Sequence, residues 1–151
     1  MQNFYSYERI FFVMQTVLTL ETFLNLLLSV ALGAIVGIER ELTHKPAGLR
    51  THMLVSLGAC LFTIVSVSFA VDPARIASGI VAGIGFIGAG TIWGEKDKVK
   101  GITTAASLWA TAAIGLTTGI GDYPLAAVVT VFVVIILASG GALRKIGLEK
   151  D

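Results

Sequence analysis

Five stretches of this chain carry no Lys, Arg, Asp or Glu: residues 22–38, 54–71, 76–93, 102–120 and 123–143. Each is 17 to 21 residues long, close to the ~20 residues a helix needs to cross a hydrocarbon core of ~30 Å. No other feature constrains the fold so strongly. In lipid, backbone polar groups must bond within their own segment or a closed barrel. Barrel strands are shorter and alternate apolar with polar residues, and these stretches do not. The expectation is an all-α, polytopic membrane protein with five transmembrane helices. The second and third form a tight hairpin through Asp72 and Pro73. Composition agrees: 55% of the 151 residues are hydrophobic and 14% charged, against about 25% charged in soluble domains.

The basic residues orient the spans. Arg9 precedes the first. The first connection holds Arg40, Lys45 and Arg50, the second Arg75, and the third Lys96, Lys98 and Lys100. The fourth holds none, and the tail holds Arg144, Lys145 and Lys150. This alternation follows the positive-inside rule. It places connections one and three and the C-terminus in the cytoplasm, and the N-terminus outside. Residues 1–20 are read as an N-terminal interfacial segment, the alternative being one long tilted helix running into the first span. Residues 21–143 form the five-helix domain and 144–151 a short cytoplasmic tail. A start without a basic n-region disfavours a cleaved signal peptide. The net charge of +1 makes no case for nucleic acid. The lone Cys60 precludes an internal disulfide, and with only His44 and His52 as histidines a structural zinc site is not expected.

Gly83, Gly85 and Gly88 spell G-x-G-x-x-G, the glycine pattern of a dinucleotide-binding turn. That turn needs a preceding strand and an acid about 20 residues on. These glycines sit inside an uncharged span, and residues 103–107 contain no acid. They suit close helix packing instead. Gly33 with Gly37, Gly79 with Gly83 and Gly90 with Gly94 are G-x-x-x-G pairs, which let backbones approach. Gly85, Gly88 and Gly90 extend the small surface and mark the third helix as the central one. Its glycine face is expected to meet the chain's own helices, a second copy in a homodimer, or a pathway lined by a locally unwound helix.

Polar groups within spans are candidates for function. Glu39, Arg40 and Glu41 end the first span. Asp72 and Arg75 lie at the outer hairpin, where Asp72 also suits a helix cap with Pro73 following. Thr103 and Thr104 open the fourth span. Thr104, Ser107 and Thr111 share one of its faces, from which hydroxyls bond across helices or line a polar groove. Trp93 suits the cytoplasmic aromatic belt and Tyr123 the outer one, while Trp109, deeper, is expected to pack. Cys60 reads as an inert small residue. His44 and His52 flank Arg50 without a nucleophile elbow, so no enzyme is expected.

The segments "GAIVGIERELTHKPAGLRTHMLVSLGACLF", "DPARIASGIVAGIGFIGAG" and "VKGITTAASLWATAAIGL" closely resemble the MgtC/SapB family of bacterial membrane proteins, from about residue 24 to 137. The resemblance implies five spans in the bacterial inner (plasma) membrane, with the N-terminus outside. It implies a link to magnesium limitation and, in pathogens, to virulence. It further implies an inhibitory interaction with the F-type ATP synthase in place of direct magnesium transport. Motif positions that carry over are Glu39, Arg40, Glu41, Lys45, Pro46, Gly48, Arg50, Thr51 and His52. Asp72, Arg75, Gly83, Gly85, Gly88 and Gly90 follow, then Lys100, Gly101, Thr103, Thr104 and Trp109. Cys60 falls where some members carry a cysteine important for virulence. Longer members have a soluble C-terminal domain like an ACT fold, which this sequence is expected to lack. A glutamine common in the third span is Gly79 here.

Three functions compete. The first is a non-catalytic protein that lies in lipid and acts by binding another membrane protein. The second is a transporter of magnesium or another divalent cation, with Glu39, Glu41 and Asp72 as candidate ligands. Mg²⁺ prefers octahedral oxygen ligands and keeps several waters, and these acids are expected at opposite membrane faces. The third, an enzyme, has no support in the residues, and no cofactor is expected beyond Mg²⁺ as a ligand or transported ion.

Overall fold

The computed structural model describes residues 19–68, 73–95 and 98–145. Asp72, the first 18 residues and the last six lie outside them. Five helices are present among the described residues: α1 (Leu20–Leu42), α2 (Leu49–Ser68), α3 (Pro73–Ala89), α4 (Ile102–Gly119) and α5 (Tyr123–Lys145). Between α3 and α4 the chain makes an antiparallel hairpin of β1 (Trp93–Glu95) and β2 (Lys98–Lys100). The third apolar stretch is thus not helical to its end: Trp93 belongs to a strand.

Helix termini follow local chemistry. Thr19 is extended and its hydroxyl accepts from the Thr22 N–H at 3.1 Å, capping α1. At the other end, His44 N–H bonds the Glu41 carbonyl and Lys45 N–H the Arg40 carbonyl, with His44 left-handed at φ 55°. This is a Schellman stop, with Pro46 barring continuation. The α4 terminus repeats it at Gly121 (φ 84°), with Asp122 N–H on the Thr117 carbonyl. Asp122 then caps α5 through the Leu125 N–H at 3.1 Å.

Along α1 the outward face is apolar and the buried face mostly small or polar, with Leu32 and Val36 the buried exceptions. Along α1 the buried positions include Thr22, Asn25, Ser29, Gly33, Gly37 and Arg40. Phe23, Leu24, Leu27, Ile35 and Ile38 face outward. Where lipid is the solvent, large apolar side chains belong outside and small residues between helices. By length and composition, α1, α2 and α5 suffice to cross a membrane, while the apolar part of α3, Ala74–Ala89, is shorter.

The central helix is α4, not the glycine-rich α3 as expected, because α4 touches all four other helices. Its Ile114 packs with Leu32, Val36, Ala126 and Leu137, and its Leu108 and Ala112 pack with Ala47, Ala59 and Ile84. On the face it turns to the other helices, α4 carries the buried hydroxyls of Thr104, Ser107, Thr111 and Thr118. The contacts also fix direction. Gly33 and Gly37 of α1 press on α2 in reverse order, whereas Gly115 and Gly119 of α4 meet α2 at Ser56 and then at Cys60 and Thr63. Helices α2 and α4 therefore run parallel to each other and antiparallel to α1. The first connection and the β-hairpin lie at one end, called the basic end below.

Candidate functional site

The motif residues Glu39 to His52 fold into one compact cluster at the basic end. Arg40 is almost fully buried (3% exposed) and its Nε donates to the Glu39 carboxylate beside it. A buried guanidinium without such a partner would be strongly destabilising. The Glu41 carboxylate turns the other way and accepts from the Leu49 N–H at 3.0 Å. Leu49 opens α2, so the acid caps that helix and lies at the positive end of its dipole. Gly48 gives it room, because a Cβ there would overlap the Glu41 carboxylate. Ala47 is buried beneath the turn.

One turn further, His52 is fully buried. Its Nδ1 lies 2.9 Å from the Gly48 carbonyl oxygen, which only accepts, so Nδ1 carries the proton. A neutral ring then presents Nε2 as an acceptor to the Ser107 hydroxyl at 3.1 Å. That hydroxyl also lies 2.8 Å from the Thr104 carbonyl, so its single hydrogen bonds one of the two acceptors at a time. The pair joins α2 to α4 across 55 residues. It is the inter-helix bond expected of the fourth span's hydroxyls. Thr111 and Thr118 instead donate back to the Ser107 and Ile114 carbonyls of their own helix, each at 2.8 Å.

From His52, buried polar groups continue up α2 through Ser56, Cys60, Thr63 and Ser66. Cys60 meets the Ser29 hydroxyl of α1. The Ser56 and Ser66 hydroxyls have no partner among the described residues. Glycines close this column tightly. A Cβ on Gly33 would lie 2.7 Å from the His52 carbonyl oxygen, and one on Gly37 2.7 Å from the Leu49 Cα. A Cβ on Gly119 would lie 2.8 Å from the Cys60 carbonyl oxygen. At the opposite end, the Tyr123 hydroxyl donates to the buried Asn25 amide oxygen at 2.7 Å, tying α5 to α1.

Several expected residues lie elsewhere. A Cβ on Gly79, Gly83 or Gly85 would meet nothing within 4 Å, so these three positions of α3 do not pack on another helix among the described residues. Only Gly88 does, with Ala105 at 3.4 Å, and Gly90 sits in the turn that ends α3. Trp109 points outward, 52% exposed, correcting its expected packing role. A tryptophan in mid-helix is large enough that lipid accommodates it better than the narrow α4 interfaces. Thr103 is exposed, Thr104 is buried, Arg50 and Arg75 are exposed, and Lys100 pairs with Glu95. Among the described residues no group of three His, Cys, Asp or Glu converges to hold a metal. Of the three acids considered for Mg²⁺, Glu39 is engaged by Arg40 and Glu41 by the α2 terminus, while Asp72 lies outside the described residues. Gly115 and Gly119 of α4 pack on α2 as well, and their G-x-x-x-G spacing is the sequence signal of it.

The profile of the MgtC family matches residues 26–146. Protein MgtC of Salmonella typhimurium is 46% identical over 123 residues, covering 81% of this chain and 52% of that protein. Protein MgtC of Brucella abortus is 48% identical over 109 residues, covering 71% and 46%. The chain thus spans about half the length of the curated relatives it matches. No solved structure matches it. The matched region takes in the Glu39–His52 cluster, the α3 glycines and the α4 hydroxyl face, and the chain belongs to the MgtC family.

Proposed function

We propose that this protein is a five-span inner-membrane protein, N-terminus outside and basic end cytoplasmic. It acts without catalysis, in adaptation to low magnesium and in virulence, by binding another membrane protein such as the F-type ATP synthase. The observation that carries this reading is the open glycine face of α3. Among the described residues Gly79 and Gly83 are small, one turn apart and unpacked, and Phe86 beside them is 85% exposed. In lipid, such a face allows close approach by a foreign helix. The closed glycine contacts along α2 favour binding over ion passage. The His52–Ser107 bond and the Glu41 cap hold the bundle rigid behind that face.

The test is co-reconstitution with F-type ATP synthase in liposomes. The protein is expected to lower ATP-driven proton pumping, and Gly83→Leu to restore it while leaving thermal stability intact. Unchanged pumping would refute the reading. In vesicles without the synthase, Mg²⁺ flux is expected to match that of empty vesicles. A saturable flux abolished by Asp72→Asn or Glu39→Gln would establish the transporter alternative.

A further inference from the structure

We propose that the paired strands β1 and β2 form a lipid-binding device that docks on anionic phospholipid headgroups at the basic end. This rests on the membrane-spanning reading above. All six strand residues are exposed, so the hairpin gains nothing from the bundle core. A two-stranded hairpin alone is marginal in water. What the fold supplies is a pinned base. Gly101, at φ 91°, brings its backbone against the Thr91 carbonyl, where any Cβ would collide, and α4 begins one residue later.

The exposed groups are those that favour a membrane interface. Trp93 is paired with Lys100, and Glu95 with Lys98. Directly opposed residues share a face and alternate positions repeat it, so Trp93, Glu95, Lys98 and Lys100 lie on one side and Val99 on the other. Val99 is 62% exposed, and Ile92 and Ile102 flank the strands, also exposed. Indole rings settle at headgroup level, and lysines there are drawn to anionic lipid phosphates. Glu95 neutralises Lys100 in the free hairpin, and a phosphate on Lys98 and Lys100 competes for that ammonium. Lys45 and Arg50, at the same end, make no ion pair among the described residues. Arg50 lies in the first turn of α2, where the helix dipole disfavours a cation and a nearby phosphate compensates it.

The two tryptophans of this chain provide the test. Trp109→Phe leaves Trp93 as the only reporter, and Trp93→Phe leaves Trp109. Both variants are placed in vesicles of phosphatidylcholine with or without phosphatidylglycerol, with bromine carried near the headgroup or near the chain end. Trp93 is expected to be quenched by the shallow bromine, more strongly with phosphatidylglycerol and less in high salt. Lys98→Gln and Lys100→Gln should each lower the docked-to-undocked ratio roughly fivefold. Trp109, on the outer face of α4, should be quenched by the deep bromine whatever the lipid charge. If Trp109 is quenched while Trp93 stays open to aqueous iodide and indifferent to phosphatidylglycerol, the docking proposal fails and the spanning reading stands. If neither is quenched, the spanning reading fails and the proposal with it.

Discussion

Replacing Gly115 by alanine adds one methyl group where two backbones meet. Its carbon would sit 2.9 Å from both the Cα and the carbonyl carbon of Ser56, and closer still to the carbonyl oxygen. No rotamer change relieves this, because the obstructing atoms are main chain. Nor can α2 retreat, since α1 presses on the same turn from the other side, with the Gly33 Cβ position 2.8 Å from the Ser56 Cβ. The three helices must spread. Overpacking of a tight core costs about 1–3 kcal/mol, offset by about 0.5–1 kcal/mol from replacing a helical glycine. The net loss, up to about 2.5 kcal/mol and toward the upper end because the clash is with main chain, lowers Tm by up to roughly 10 °C for a chain of this size. Cys60, the only cysteine and fully buried, reports unfolding directly through a thiol-reactive fluorogenic dye. Gly83→Ala is the control. It meets nothing within 4 Å, so only the helix-propensity gain remains and Tm should hold or rise. If Gly83→Ala lost as much stability as Gly115→Ala, or Gly115→Ala lost none, the assignment of structural and free glycines would be wrong.

Further outcomes follow from the cluster at the basic end. Glu41→Ala and Gly48→Ala should each cost about 1 kcal/mol by removing or displacing the α2 cap. Their double mutant should cost little more than either alone, which a double-mutant cycle in detergent reads out. His52→Ala should lose about 2–4 kcal/mol, since it opens a buried cavity and breaks the link to Ser107. Ser56→Ala, four residues on, should be neutral or slightly stabilising, because its hydroxyl has no partner to lose. Thermal scans of the two side by side check that contrast. Tyr123→Phe should cost about 1–3 kcal/mol by leaving the buried Asn25 oxygen without its donor, measurable by the same dye assay.

Much of the fold was legible in the chain. Uncharged length marked the helices, since only a helix satisfies its backbone over such a stretch. The spacing of Gly33 and Gly37 foretold a close approach, and Thr104, Ser107 and Thr111 foretold a common polar face. The hairpin at Trp93 was hidden because apolar composition continues past the point where Gly88 and Gly90 end α3. Which glycines pack was equally hidden. Gly79 and Gly83 have the same spacing as Gly115 and Gly119, but whether a neighbouring backbone lies opposite depends on how the helices are arranged. The sequence by itself determined that this is an apolar helical protein with its basic connections grouped by alternation, because those properties are local and follow from solvation. Only the tertiary structure decided that α4 occupies the centre, that His52 meets Ser107, that Glu41 reaches the start of α2, and that Gly79 and Gly83 of α3 are exposed while Gly88 packs on Ala105. Each of these joins residues distant in the chain, and their positions are set by which surfaces the folded helices bury against one another.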